Sequence, residues 1–251
     1  MATYDFSAPR LFIEGDLGAG AILALAHTQQ NYLCSVLRLK QGSEVLIFNG
    51  RDGEWRAELA PGSSRKQMAL QVTVQTRPQT RPGDLHYLFA PLKHARLDYM
   101  AQKAVEMGAS VLRPVTTRRT QAARLNVERL HANAVEAAEQ CGILRLPHIH
   151  APAALERVLQ SFEPERTLVF CDEDAEVASA LAALQALPRG APLAVLIGPE
   201  GGFDPAERER LLAMPNVVRL SLGPRILRAD TAAVAALALV QATVGDWMVA
   251  G

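Results

Sequence analysis

The chain has 251 residues, 26 basic against 26 acidic for a formal net charge of zero, and 49% of it is hydrophobic. That length can bury a substantial core in one or two domains, and the charge balance excludes a globally basic nucleic-acid binder, so any basic surface must be local. Cys34, Cys141 and Cys171 lack the spacing of a zinc site or disulfide framework and read as small buried hydrophobes in a reducing compartment; with no signal-peptide pattern at Met1-Ala2-Thr3-Tyr4-Asp5 and no bilayer-length apolar run, a cytoplasmic protein without membrane or metal is expected.

Residues 1–76 read as mostly β. A short strand is predicted at 21–25, and a helix capped by Thr28 runs to Leu37. A strand at 43–48 ends on the Asn49-Gly50 turn. Residues 53–59 partly alternate, with Trp55, Ala57 and Leu59 on one side, and 68–74 place Met68, Leu70, Val72 and Val74 on one face. Short strands separated by turn signals suggest a small barrel. Residues 77–84, with Pro78 and Pro82, read as a linker, which sets the second domain at 85–251.

From Leu85 strands and helices alternate. Strands are predicted at 85–92, 111–115 and 167–171. Helices are predicted at 95–107 (Leu97, Met100, Ala101 and Ala104 at helical spacing, closed by Gly108), 126–141 (stopped by Gly142), 153–162 and 177–187. Two terminal units follow. A strand at 194–197 leads into Gly198-Pro199-Glu200-Gly201-Gly202 and a helix opened by Asp204-Pro205-Ala206-Glu207. A strand at 217–222 leads into Gly223-Pro224-Arg225-Ile226-Leu227-Arg228 and an apolar helix at 232–244. The pattern predicts an α/β fold with a mainly parallel sheet, and the two terminal units are expected side by side.

In such sheets ligands bind beyond the carboxyl ends of the strands. The two glycine turns would flank one crevice offering main-chain groups and apolar walls from Leu196, Leu222, Ile226 and Leu227, with no lysine nearby. That suits a flat heterocycle such as adenine better than a polyphosphate; neither a P-loop nor G-x-G-x-x-G is present. Glu200 is either a loop carboxylate serving the next helix or a functional acid, and Arg228 either a solvated side chain or a positioned cation. Asp230 most simply caps the last helix. Arg113, Arg118, Arg119, Arg124 and Arg129, with Glu128 the one acid between them, form either a solvated run or a phosphate-binding surface. Lys93, Lys103, Arg145, Arg10 and Arg38 would extend it. His148 and His150 have no third ligand and read as surface or satisfied residues.

Ile197-Gly198-Pro199-Glu200-Gly201-Gly202, followed by Leu222-Gly223-Pro224-Arg225-Ile226-Leu227-Arg228-Ala229-Asp230-Thr231-Ala232, resembles the signature pair of the ribosomal RNA small subunit methyltransferase E family, of the SPOUT class. Gln102-Lys103-Ala104-Val105-Glu106-Met107-Gly108, Glu136-Ala137-Ala138-Glu139-Gln140-Cys141-Gly142 and Val36-Leu37-Arg38 extend the likeness over essentially the whole chain. The resemblance implies S-adenosylmethionine-dependent methylation of N3 of one uridine in 16S rRNA of the small ribosomal subunit, by a homodimer. It implies a PUA-like β-barrel, then a SPOUT-type α/β domain whose C-terminal trefoil knot makes the two turns one donor pocket. The chain departs from the family pattern at Asp230, Ile143 and Tyr32.

On this reading the donor site comprises Leu196, Ile197, Gly198, Pro199, Gly201, Gly202, Leu220, Leu222, Gly223, Ile226, Leu227 and Thr231. Arg228 stabilises the uridine anion, and Glu200 orients the base or accepts its proton. RNA contacts are expected at Arg10, Arg38, Lys93, Lys103, Arg118, Arg119 and Arg145. The rivals are a knotted methyltransferase acting on ribose 2′-oxygen or tRNA, and a non-catalytic RNA-binding ribosome assembly factor.

Overall fold

The computed structural model describes residues 8–64, 67–81, 83–121, 125–175 and 180–248. They form two compact units: one runs to Arg81 and includes Ala138–Leu146, and the other takes the remainder.

The first unit contains β1 (Arg10–Phe12), β2 (Ile22–Ala24), α1 (His27–Gln30) continuing into a π-helical turn (Asn31–Val36), β3 (Glu44–Phe48), β4 (Glu54–Pro61) and β5 (Met68–Arg77). The sheet order is β1-β3-β4-β5-β2, with only β1 and β3 parallel. Leu33, Val45, Ile47, Leu59, Leu70 and Val72 fill its core; Leu11 from one edge strand and Leu23 from the other pack on the same cluster. The sheet therefore wraps a single core, as a PUA-like barrel would.

Two local expectations are corrected. Thr28 lies inside α1; the N-cap position is Ala26, whose N–H donates to Gln29 Oε1 at 3.0 Å. Val74 is 56% exposed. The pairs Trp55↔Gln75 and Ala57↔Val72 leave an extra residue on β5, and a bulge turns the following side chain to the other face. β1 was not foreseen, because three residues are too few to display a period.

Near the sheet's edge lies a buried ionic cluster. Glu54, 4% exposed, accepts from Arg10 Nε at 2.7 Å and Arg77 Nη2 at 2.6 Å. Arg10 also donates to the carbonyls of Ala138 and Ile143, and Arg77 to that of Gly142. Arg10 is thus corrected as an RNA contact: its guanidinium is buried and its hydrogen bonds are committed within the unit.

The second unit contains β6 (Leu85–Phe89), α2 (His94–Glu106), β7 (Val111–Thr116), α3 (Val127–Gln140, whose end belongs to the first unit), β8 (His148–Ile149), β9 (Ala153–Ala154), α4 (Leu155–Gln160), β10 (Thr167–Cys171) and α5 (Ala180–Gln185). Then come β11 (Leu193–Ile197), α6 (Pro205–Leu212), β12 (Val217–Leu220) and α7 (Ala229–Thr243). The strands run in the order β12-β10-β11-β6-β7-β8, with β9 also on β7, and every pairing is parallel. The α/β expectation holds. Leu88, Leu168, Phe170, Ala194 and Leu196 pack with Leu155 and Val158 of α4 and Leu211 of α6, while α7 packs on α2 and β11.

Sequence and structure differ in four places here, the first being β8, a strand at His148–Ile149 that the sequence reading did not place. Residues 153–154 extend the sheet before α4 begins. The helix expected at 177–187 is described only as α5, residues 176–179 lying outside the described residues. And β11 and β12 are not neighbours, because β10 lies between them.

His86 on β6 supplies a pH prediction. Burial, then the Arg166 guanidinium, pushes its pKa down to about 4, against the pull of Asp84. The native state keeps His86 neutral while the unfolded chain protonates it near the ordinary histidine value of 6.5. Its contribution is therefore complete above pH 6.5 and is lost as pH falls toward 4. At about 1.4 kcal/mol per unit this amounts to roughly 3 kcal/mol. Denaturant unfolding at pH 7 and pH 4.5 is expected to show a smaller acid loss for His86→Gln than for the parent. Equal losses would remove His86 from the acid limb.

Candidate active site

Parallel strands bring their following loops to one edge of the sheet. In chain order these loops follow β6 (Pro91–Lys93), β7 (Thr117–Gln121), β10 (Asp172–Ala175), β11 (Gly198–Asp204) and β12 (Ser221–Arg228). From β6 the chain builds outward through β7 and β8; β11, β10 and β12 lie on the other side. The switch point is thus between β6 and β11, where open α/β sheets place their crevice. A cleft lies there, lined by Pro91, Leu92, Lys93, Arg119, Gln121, Pro199 and Glu200.

The loop after β11 is held by its own contacts. A Cβ at Gly198 would fall 2.5 Å from the Phe203 ring, so the loop's packing already requires glycine. Gly202 has φ +69°, a conformation costly for other residues. Asp204 accepts from Ala206 N–H at 3.1 Å, and Glu207 Oε2 accepts from Asp204 N–H at 3.1 Å, the capping box read from the sequence. Arg118 donates through its backbone to Glu207 at 2.9 Å and through Nη1 to Asp204 at 3.0 Å; Arg119 Nη1 donates to the Gly201 carbonyl at 2.8 Å. Glu200 forms an ion pair with Arg96 of α2.

The loop after β12 is open. Gly223 has φ +101°, and a Cβ there would meet nothing within 4 Å. Ile226 is 91% exposed, and Arg225 and Arg228 are exposed with no side-chain acceptor among the described residues. Arg228 occupies the N-cap position of α7 without a side-chain cap bond. Asp230 is corrected as the cap: the helix begins at Ala229, and Asp230, in its first turn, accepts from Thr231 N–H at 2.9 Å. Leu196 and Leu220 are fully buried and Ile197 nearly so. These three offer only main chain, and the apolar side chains left to line a crevice are Leu222, Ile226 and Leu227. The open space over Gly223 leaves the main chain of this loop accessible to a ligand.

Between these loops stands the end of β10. Burial alone would raise the Asp172 carboxyl, but Arg208 and Arg219, donating at 2.9 Å each, outweigh it and hold the carboxyl below its usual range. Burial pushes the Cys171 thiol up to about 12, which makes it inert. Cys141, by contrast, is exposed, against the buried reading.

The expected basic surface is narrower than the sequence suggested. Lys93 lines the cleft and Arg119 adjoins it. Arg129 pairs with Asp98, Lys103 with Glu106 at 2.7 Å, and Arg124 lies outside the described residues. Arg38, at φ +56°, and Arg145 are exposed on the first unit. His148 and His150 meet edge to face with centroids 4.5 Å apart. Among the described residues no group of three or more His, Cys, Asp or Glu could hold a metal. Arg96 and the β10 end escaped the sequence reading, since only the strand order brings them to this edge.

A family model described as an RNA methyltransferase domain matches residues 79–241, and one described as an RNA methyltransferase PUA domain matches 27–72. The chain belongs to this RNA methyltransferase family. Curated relatives include a Rickettsia conorii protein, 28% identical over 233 residues (92% of this chain, 94% of the relative), and a Bacillus subtilis protein, 28% identical over 220 residues (84% and 86%). Both are named Ribosomal RNA small subunit methyltransferase E, which bears out the resemblance carried by the two glycine turns. A solved Legionella pneumophila methyltransferase in complex with the cofactor SAM superposes with TM-score 0.82 at 26% identity, over 95% of this chain and 99% of that one. A Neisseria gonorrhoeae relative shares the fold with TM-score 0.82 at 23% identity, over 96% and 100%.

Proposed function

We infer that this methyltransferase transfers a methyl group from S-adenosylmethionine to N3 of a uridine in 16S rRNA of the small ribosomal subunit. The observation that carries the reading is one row of loops. The glycine loop after β11 borders a cleft with Lys93 and Arg119 on one side and, across the β10 end, faces the open loop after β12 on the other. The relatives' name and the SAM held by the Legionella structure support substrate and donor. Incubating the protein with undermethylated small subunits and labelled donor, then mapping the nucleotide and its methylated atom, tests it. Label on a uridine N3 of 16S rRNA is expected; label on a ribose oxygen or in tRNA overturns the substrate assignment. RNA affinity without S-adenosylhomocysteine affinity would favour the assembly-factor rival.

The donor would be held by the main chain of Gly198, Pro199, Gly201, Gly202, Leu222 and Gly223, with Ile226, Leu227 and Thr231 around it. When bound it supplies the methyl group for an in-line displacement, which demands alignment at about 3 Å. Uridine N3 attacks as its anion. Arg228 places a cation beside the charge developing on O2 and O4. Glu200, at the cleft and paired with Arg96, orients the base or takes the N3 proton.

Residues 1–76 act as an RNA-binding accessory, 77–84 as linker and 85–251 as the catalytic domain. The C-terminal knot is supported by the path of the chain, which leaves β12 at the sheet edge and returns as α7 across β11 and α2. Ile226, apolar and exposed beside the site, supports a homodimer. Cytoplasmic residence follows from the substrate; among the described residues no helix is long and apolar enough to cross a membrane.

Arg118 and Arg119 lie against the glycine loop with their guanidiniums exposed, and each is assigned an rRNA phosphate. The double change to Ala is expected to weaken RNA binding and to reduce the slope of log K against log salt by about 1.4, near 0.7 per phosphate for single strands. Filter binding between about 50 and 200 mM salt measures it. An unaltered slope removes both from the interface.

A further inference from the structure

We propose that Glu173, at the end of β10, is a donor-binding residue that accepts hydrogen bonds from the ribose hydroxyls of the S-adenosyl nucleoside. This rests on the donor site proposed above and adds a third loop to it. The strand order is β12-β10-β11, so the β10 end lies between the two glycine loops. The register places it more closely. Phe170 pairs with Leu196 and Cys171 with Leu220. Continuing both ladders sets Glu173 level with Pro199 on one side and Leu222 on the other, at the start of each loop.

The carboxylate is aimed at the first loop: Glu173 Oε1 lies 2.9 Å from where a Cβ on Gly202 would stand. Its neighbour Asp172 is neutralised by Arg208 and Arg219, and Arg219 also donates to the Asp174 carbonyl at 2.7 Å, which anchors the turn. Glu173 has no hydrogen-bond or ion-pair partner among the described residues, and it is exposed. Of the acids on this edge, Glu200 is occupied by Arg96, Asp172 by two arginines and Asp204 by Arg118. An unpaired carboxylate beside glycine backbone matches a cis-diol, since its two oxygens accept two adjacent hydroxyls, as acidic residues do for ribose in other nucleoside sites.

The test is calorimetry of the full chain, its Glu173→Ala variant and its Glu173→Gln variant with two probes. S-adenosylhomocysteine carries adenine, ribose and the amino acid; 5′-methylthioadenosine keeps adenine and ribose and lacks the amino acid. Glu173→Ala is expected to bind both about tenfold more weakly, by the same factor, the loss of a charged hydrogen-bond acceptor, with Glu173→Gln in between and the thermal midpoint unchanged. Weakening confined to S-adenosylhomocysteine would place the carboxylate on the ammonium group and overturn the proposal. Parent and variants binding alike overturns it while leaving the donor site standing. A parent that binds neither probe overturns the donor-site reading itself, and this inference with it.

Discussion

Arg228→Ala is expected to lower the single-turnover methylation rate at neutral pH by a factor of about 100 to 1000, the usual result of removing one group that stabilises developing anionic charge. Arg228 is exposed, has no acceptor among the described residues and sits at the N-cap of α7 without a side-chain capping bond, so the fold does not depend on its guanidinium. The loss should therefore appear with an unchanged thermal midpoint and unchanged affinity for S-adenosylhomocysteine. The pH profile carries the distinction. A cation beside the base lowers the pKa of N3–H, so the parent should level off at lower pH than the variant, whose rate should go on rising as solvent hydroxide supplies the anion. Arg228→Lys should restore part of the rate, because charge matters more here than the planar fork. Equal rates for parent and Arg228→Ala with saturating donor and RNA would take Arg228 out of the chemistry.

What the sequence revealed and what it concealed separate along sequence distance. Asp204-Pro205-Ala206-Glu207 could be read because all its hydrogen bonds close within three residues. Gly108, Gly142, Gly202 and Gly223 could be read because positive φ is a property of one residue. The strands of the parallel sheet were visible as apolar runs, since burial on both faces leaves no alternation to misread. The insertion of β10 between β11 and β12 was not visible. It is a pairing between strands more than twenty residues apart, and no local pattern encodes it. That one fact moves the candidate site from a crevice between two loops to a row of three, and it brings Glu173 into the site. Arg96 was hidden for the same reason, its partner Glu200 lying 104 residues away. The Leu196 side chain reads as a crevice wall from the sequence and is fully buried in the structure, because apolar character looks the same in a core and in a pocket.

Arg10 shows the converse error, where residue type suggested exposure and the partner decided otherwise, and its cluster gives the largest expected effect on stability. Burial alone would raise the Glu54 carboxyl, but Arg77 and Arg10 outweigh it and keep the group ionised below its ordinary range. Glu54→Ala would remove the carboxylate that two largely buried guanidiniums share. A loss of about 3–5 kcal/mol is expected, the usual result of breaking a buried pair by removing one member. Replacing all three charges with apolar residues (Arg10→Met, Glu54→Leu, Arg77→Met) should cost less than Glu54→Ala alone with respect to charge. It should still not be neutral, because the carbonyls of Ala138, Gly142 and Ile143 would lose their donors. Amide exchange of β4 and β5 reports on this unit directly. If Glu54→Ala leaves that protection within about 1 kcal/mol of the parent, water reaches the site and the ionic cluster is not what holds it. The cluster also separates two meanings of a basic residue in an RNA-modifying protein. Arg10→Ala should lower stability and leave the salt slope of RNA binding where it was, whereas the Arg118 and Arg119 changes should do the reverse, because only a charge facing solvent can displace the counterions that phosphate holds.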